Sequence, residues 1–184
     1  MAPKQRADAV RNRARVLAAA EEVFDRSGPG TSTAEIARVA GVGIGTVFRH
    51  FPTKRDLLAA IMKDRRERVA TAAEALIAGD DPEAFYVFFT DLVAAAAGRK
   101  SVVDALVEEG VDLSVDKPIG SLQGMIAPLL RRGQEAGTIR ADVALPEVMA
   151  LLIGTCQAAL SGGWQAELQQ RTTKIIFAGL RPGA

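Results

Sequence analysis

Between Asp8 and Gly28 the apolar residues Val10, Ala14, Leu17, Ala20 and Phe24 recur at spacings of three and four, with arginines and glutamates filling the positions between them. This spacing predicts an amphipathic helix that stops at Gly28-Pro29-Gly30. Ser32, followed three residues later by Glu35, has the form of a capping box: the hydroxyl takes an amide of the first turn and the carboxylate reaches back to the cap amide. A short second helix therefore opens there and ends at Gly41. A third is predicted from Ile44 to His50, because Pro52 pushes Phe51 out of helical geometry. Thr53 and Asp56 repeat the box and open a fourth helix, from Lys54 to about Ile77.

The pattern stays helical to the end: Pro82 to Ala97, Ser101 to Asp112, Leu122 to Glu135, Pro146 to Ser161 and Trp164 to Ala178. Gly79-Asp80-Asp81, Gly98, Asp116-Lys117-Pro118, Gly137 and Gly162-Gly163 punctuate these segments. No alternating apolar and polar run is long enough for a strand, and the alanine-rich tracts favour helix. The expected fold class is all-α, with a small N-terminal head over residues 8–68 and a helical body over residues 69–184.

Charge divides the chain at the same place. Residues 1–68 hold fourteen Lys and Arg against eight Asp and Glu, a net of +6, whereas residues 69–184 hold nine against fourteen, a net of −5. A positive field concentrated on one third of the chain is the electrostatic footprint of a nucleic-acid-binding head. The early arginines exclude a signal peptide. The run from Val148 to Trp164 falls short of the ~20 apolar residues that a membrane span needs. A soluble, cytoplasmic protein with no membrane partner is expected. Cys156 is the only cysteine, which rules out an intramolecular disulfide and is read as a small core residue.

Ala37, Gly41 and Val47 carry the most specific signal in the head. Two helices crossing at a tight turn need a small residue at the crossing, a residue tolerant of positive φ in the turn and an inward apolar anchor on the second helix. These three positions supply them in order, with Ile36, Ala40, Val42 and Phe51 completing an inward set that meets Leu17, Phe24, Leu58 and Ile61. Together with Thr31-Ser32-Thr33-Ala34-Glu35-Ile36-Ala37, Ala40-Gly41-Val42, Gly45-Thr46-Val47-Phe48-Arg49-His50-Phe51 and Lys54-Arg55-Asp56-Leu57-Leu58, this block resembles the head of the TetR family of bacterial regulators over about residues 8–68.

The resemblance implies a homodimer whose two third helices enter successive major grooves of a pseudo-palindromic double-stranded operator, about 34–36 Å apart. Val47 and Phe51 point inward, which leaves Ile44, Gly45, Thr46, Phe48, Arg49 and His50 for the DNA, and Arg49 is the candidate for bidentate contact with guanine. Thr31, Ser32 and Lys54 stand where the family holds the DNA backbone. Gly43, Ile44 and Phe48 depart from the family's usual hydroxyl, polar and tyrosine residues, and each removes a hydrogen bond to DNA. These departures keep open an alternative in which the head no longer binds DNA and the chain is a small-molecule-binding or protein-interaction module.

In the body, the resemblance makes the last two helices half of a four-helix dimer bundle, with Val148, Leu152, Trp164, Leu168, Ile175 and Ile176 as the expected interface; the alternative is that they close the monomer's own core. An effector pocket is suggested by Phe85, Phe88, Phe89, Leu92, Leu106, Met125 and Met149, with Gln123 and Gln157 as polar partners, each of which has plain core as its alternative. Pro128 inside the seventh helix removes a backbone bond and is expected to bend it. The effector is a small molecule of unstated identity. A small all-α enzyme is the competing class. It lacks a reactive constellation, since His50 is the only histidine, so no catalytic residue, metal site or cofactor is expected.

Overall fold

A computed structural model describes the backbone of residues 3–111 and 116–183, and side chains over 7–111 and 122–183. The described residues form α-helices and no strand: α1 (Pro3–Ser27), α2 (Thr33–Ala40), α3 (Ile44–His50), α4 (Lys54–Ala78), α5 (Ala84–Ala97), α6 (Lys100–Glu108), α7 (Asp116–Glu135), α8 (Leu145–Gly162) and α9 (Ala166–Leu180). The all-α expectation is met, with the helices displaced at their ends by a few residues. The fifth helix starts at Ala84 because Pro82 and Glu83 form a turn, and the seventh begins earlier than its apolar period does. Asp112, the expected end of the sixth helix, lies outside the described residues.

Two compact units divide the chain. The first holds α1 to α3, the start of α4 as far as Arg66, and α6; the second holds α4 from Glu67, α5, and α7 to α9. The division falls inside α4, and α6 groups with the first unit although its sequence lies within residues 69–184.

The first unit is built around Val16, Leu17, Ala20, Val23 and Phe24 of α1, Ile36, Ala37 and Ala40 of α2, Val47 and Phe51 at α3, and Leu57, Leu58 and Ile61 of α4. Val102, Ala105 and Leu106 of α6 join the same cluster. A buried charge pair reinforces it. Arg65 donates from Nε to Glu21 at 3.0 Å and lies 3.6 Å from Asp25, tying α4 to α1. The basic run at 65–68 reads from sequence as a solvated face; Arg65 departs from that reading, with its side chain only 15% exposed. Burial raises the Asp25 carboxyl above its ordinary range, and Arg65 partly opposes the rise.

In the second unit α5 is the central helix, packed against α7, α8 and α9, with Val87, Thr90, Asp91 and Ala94 left exposed along one face. Phe85, Phe89 and Tyr86 form edge-to-face contacts with one another and with Phe177 of α9, at centroid distances of 4.6–6.1 Å. Arg132 of α7 donates from both terminal nitrogens to the carbonyls of Leu76 and Ile77, at 2.8 and 2.6 Å, and so caps the C-terminal end of α4. At the start of α8 the amide of Ala144 donates to Glu147 Oε2 at 2.8 Å, while Pro146 occupies the first turn, where its missing N–H costs nothing. By length and mean hydropathy (1.3) α8 would suffice to cross a membrane, which differs from the sequence expectation; here one side of it, with Val148, Met149, Leu152, Thr155 and Ala159, is buried in the unit, where it packs along α5.

Candidate nucleic-acid interface

The turn between α2 and α3 follows from Gly41, whose φ of 61° and ψ of 40° put it in the left-handed region that a side chain disfavours. Its amide donates to the carbonyl of Arg38, and the amide of Val42 returns to Ala37, so α2 ends abruptly and α3 starts after only three intervening residues. Ala37 is buried at the crossing, and Val47 and Phe51 anchor α3 from below. With those two residues inward, the opposite side of α3 must face out. Ile44 and Phe48 are 48% and 47% exposed, Gly45 and Arg49 are exposed, and Thr46 and His50 are half-buried. Of the six expected α3 residues, Ile44, Gly45, Phe48 and Arg49 are therefore exposed, while Thr46 and His50 lie half-buried at the flanks.

The flanking contacts differ from expectation. Ser32 caps α2, its hydroxyl accepting from the Glu35 amide at 3.2 Å, and stays exposed. Glu35 does not return to the cap; its carboxylate accepts from Arg26 Nη2 at 2.7 Å, so the box is half made. Thr31 turns inward instead of outward: it is 7% exposed, and its hydroxyl donates to the carbonyl of Gly28 at 2.7 Å. That hydroxyl closes the loop after α1, and nothing in the sequence gave its direction. At α4 the box is complete, with Thr53 and Asp56 exchanging bonds of 2.7–3.1 Å. Lys54 is half-buried; Nζ donates to the carbonyl of Pro29 at 2.8 Å and lies 3.9 Å from Oε1 of Glu109, in the turn just after α6.

Sequence reasoning missed Arg13 and Arg15. The Arg13 guanidinium stands 5.2 Å from the centre of the Phe51 ring, and Arg15 Nη2 donates to the carbonyl of Gly41 at 3.3 Å. The signal available was the density of arginines just before the apolar period of α1 becomes continuous.

Among the expected pocket residues, Phe85, Phe88, Phe89, Leu92 and Met149 are buried together, and Met125 is packed against them. Leu106 is not among them; it belongs to the core of the first unit. Gln123 and Gln157 are exposed on their helices and supply no polar lining. Cys156 packs beside this cluster, and burial pushes its thiol up to about 11. An open groove of about 690 Å³ lies elsewhere in the unit, between the α7–α8 connection and the end of α9, but Arg140 and Arg181 beside it are already paired with Asp142 and Glu83.

The expected interface residues divide in two. Val148 and Leu152 are fully buried within the unit, so they cannot meet a partner, and Trp164 and Ile176 are packed at its edge. Leu168 and Ile175 are exposed, the latter by 75%, and beyond its first turn α8 exposes Ala150, Leu151, Gly154, Gln157, Ala158, Ser161 and Gly162.

A short helix held across a second by a glycine turn, with an outward face and a cationic surround, defines a helix-turn-helix DNA-binding protein. The model of bacterial regulatory proteins of the tetR family matches residues 16–61, and that of the SbtR-like transcriptional regulator C-terminal domain matches residues 80–182. The chain belongs to the TetR family of transcriptional regulators. It is similar to a TetR transcription regulatory protein from Mycobacterium vanbaalenii, with 42% identity, coverage of 97% of this chain and 99% of that one, and a TM-score of 0.76. The regulator SCO0520 from Streptomyces coelicolor shares 30% identity over 94% of this chain and 99% of its own, with a TM-score of 0.74. The transcriptional repressor BepR of Brucella suis is 28% identical over 96% of this chain and 81% of its own length.

Proposed function

We propose that the chain is a dimeric repressor that holds a pseudo-palindromic operator through its two α3 helices and releases it when a small molecule binds in the body. The outward face of α3 carries this reading. Ile44, Phe48 and Arg49 stand exposed on a helix fixed by Val47 and Phe51, with Thr46 half-buried at the flank. Arg49 presents a fork of donors suited to guanine O6 and N7, while Phe48 and Ile44 suit the thymine methyl. Ser32 and Lys54 take phosphates on either side, with Lys54 sharing its ammonium with the Pro29 carbonyl. Repression is favoured by the name of the Brucella relative.

Dimerisation is assigned to the exposed side of α8 and α9. Leu151, Gly154 and Ala158 recur at helical spacing with small residues that permit close approach, and Leu168 and Ile175 stand on α9. An exposed apolar strip of this kind is unfavourable in an isolated monomer. The effector site is placed among α5, α7 and α8, where Met125 and Met149 are the side chains best able to move aside for an apolar guest beside Phe88. A hundredfold loss of operator affinity needs about 2.7 kcal/mol of ligand preference for the non-binding arrangement, and DNA must weaken the ligand by the same factor.

The test is a mobility-shift titration on the DNA immediately upstream of the chain's own coding sequence, with Arg49→Ala beside it. Specific retardation that Arg49→Ala removes is expected. Equal binding of upstream and random DNA by both proteins would favour a head that has lost operator recognition.

A further inference from the structure

We propose that the N-terminal part of α1 is a second DNA-contacting element, a basic helical arm that lies along the sugar-phosphate backbone flanking the base pairs read by α3. The proposal rests on the DNA-binding reading above and adds a site to it. α1 runs from Pro3 to Ser27, yet the first buried of its described side chains is Val16. Between residues 7 and 15 none is buried, and Val10 is 69% exposed, so core packing does not account for these turns.

What they carry is positive charge. Arg11, Arg13 and Arg15 stand here, with Lys4 and Arg6 preceding them in sequence and Asp8 as the one acidic residue before Glu21. Arg11 pairs with Asp8, both largely exposed. Arg13 and Arg15 have no carboxylate partner among the described residues; they reach instead to Phe51 and Gly41, which bracket α3. The base of the arm is therefore fastened to both ends of the helix that carries Arg49. An aromatic face and one carbonyl use few of the five N–H donors of each guanidinium. The remaining donors suit phosphate oxygens, the acceptor that a duplex presents at every step beside the groove.

Contacts of this kind position without specifying, so they should appear in salt dependence and not in base preference. Fluorescence anisotropy of the full chain on two labelled duplexes tests this, one from the DNA upstream of its own coding sequence and one of random sequence. The triple variant Arg11→Gln, Arg13→Gln, Arg15→Gln should lower the slope of log K against log salt by about two to three on both duplexes. The matching Arg→Lys triple should keep it, because charge and not packing is at stake. Arg11→Gln alone touches only Asp8 and should lower the slope by about one, which decides the matter if the triple fails to fold. Trimming the flanks of the upstream duplex should erase the difference between wild type and the Gln triple. An unchanged slope for folded Gln variants on DNA that the wild type binds overturns the arm alone. No salt-dependent binding by the wild type overturns the functional reading with it.

Discussion

Ile44 and Phe48 in the first unit are as exposed as Leu168 in the second, yet what surrounds them is unlike. Around α3 the neighbouring exposed residues are cationic, with Arg38, Arg49 and Arg55 on α2, α3 and the start of α4. On α8 the exposed Leu151, Gly154, Gln157, Ala158 and Ser161 carry no charge, while on α9 Ile175 stands beside the exposed Arg171 and Lys174. An apolar side chain in solvent is therefore not one signal. Set among cations it suits a polyanion whose bases carry methyl groups; set among small residues it suits another apolar surface. On the function proposed above, the two units divide the work of a regulator along this line, one meeting DNA and the other a second copy of the chain.

The comparison breaks most severely if the strip on the second unit is not an interface. Leu151→Asp combined with Ile175→Asp places desolvated carboxylates at its centre, for an expected loss of about 4 kcal/mol, or about a thousandfold in the dimer dissociation constant. Sedimentation should give a monomer at micromolar concentration with the helix content intact. A dimer that survives both changes moves the interface elsewhere. Leu152→Asp is the contrasting control: it buries its charge in the unit's own core and should unfold it.

Cys156 tests the packing beside that strip. With its thiol held near 11 against an ordinary 9.0, the folded chain should react with a disulfide reagent at pH 8 about a hundredfold more slowly than the unfolded chain. Because the unfolded thiol ionises first, stability should fall as pH rises from about 9 toward 11. Labelling at the unfolded rate would mean that the body opens readily around α8.

These placements also separate what was legible in the sequence from what was not. The head was legible because its constraints are local: Ala37, Gly41 and Val47 lie within eleven positions, and each residue type has one geometric use there. Thr31 escaped, since the direction of its hydroxyl depends on the carbonyl of Gly28 and not on any spacing. Helix α8 was harder. Val148, Leu151, Leu152 and Cys156 make it apolar on almost every side, so periodicity gave no phase, and Val148 and Leu152 were assigned to a partner although they face the core. Leu106 was assigned to the body because its neighbours in sequence are there, but α6 packs with the head, a long-range pairing that no local pattern encodes.

Within the head, Arg49→Ala should cost about 1–3 kcal/mol on the operator and relax base preference there. Lys54→Ala should weaken specific and random DNA alike and lower the salt slope by about one. Equal losses on both DNAs for Arg49→Ala would make it another backbone contact and leave specificity to Thr46, Phe48 and Ile44.

The smallest expected effect has the most informative sign. Glu109, in the turn that follows α6, lies 3.9 Å from the Lys54 ammonium, so a carboxylate from a segment outside the helix-turn-helix shares the cation assigned to a DNA phosphate. Both side chains are partly exposed, and such a pair is worth at most about 1 kcal/mol, or up to about fivefold in affinity. Removing the charge with Glu109→Gln frees Lys54 for the phosphate and takes a negative charge away from the approaching polyanion, so affinity should rise. The gain should shrink as salt is raised, because screening over about 8 Å at physiological ionic strength weakens both parts. In a Lys54→Ala background the shared-cation part vanishes and only the repulsive part remains, so the gain should be smaller. A double-mutant cycle with no coupling between the two positions would leave Lys54 serving the Pro29 loop alone, and the head would then bind DNA independently of α6.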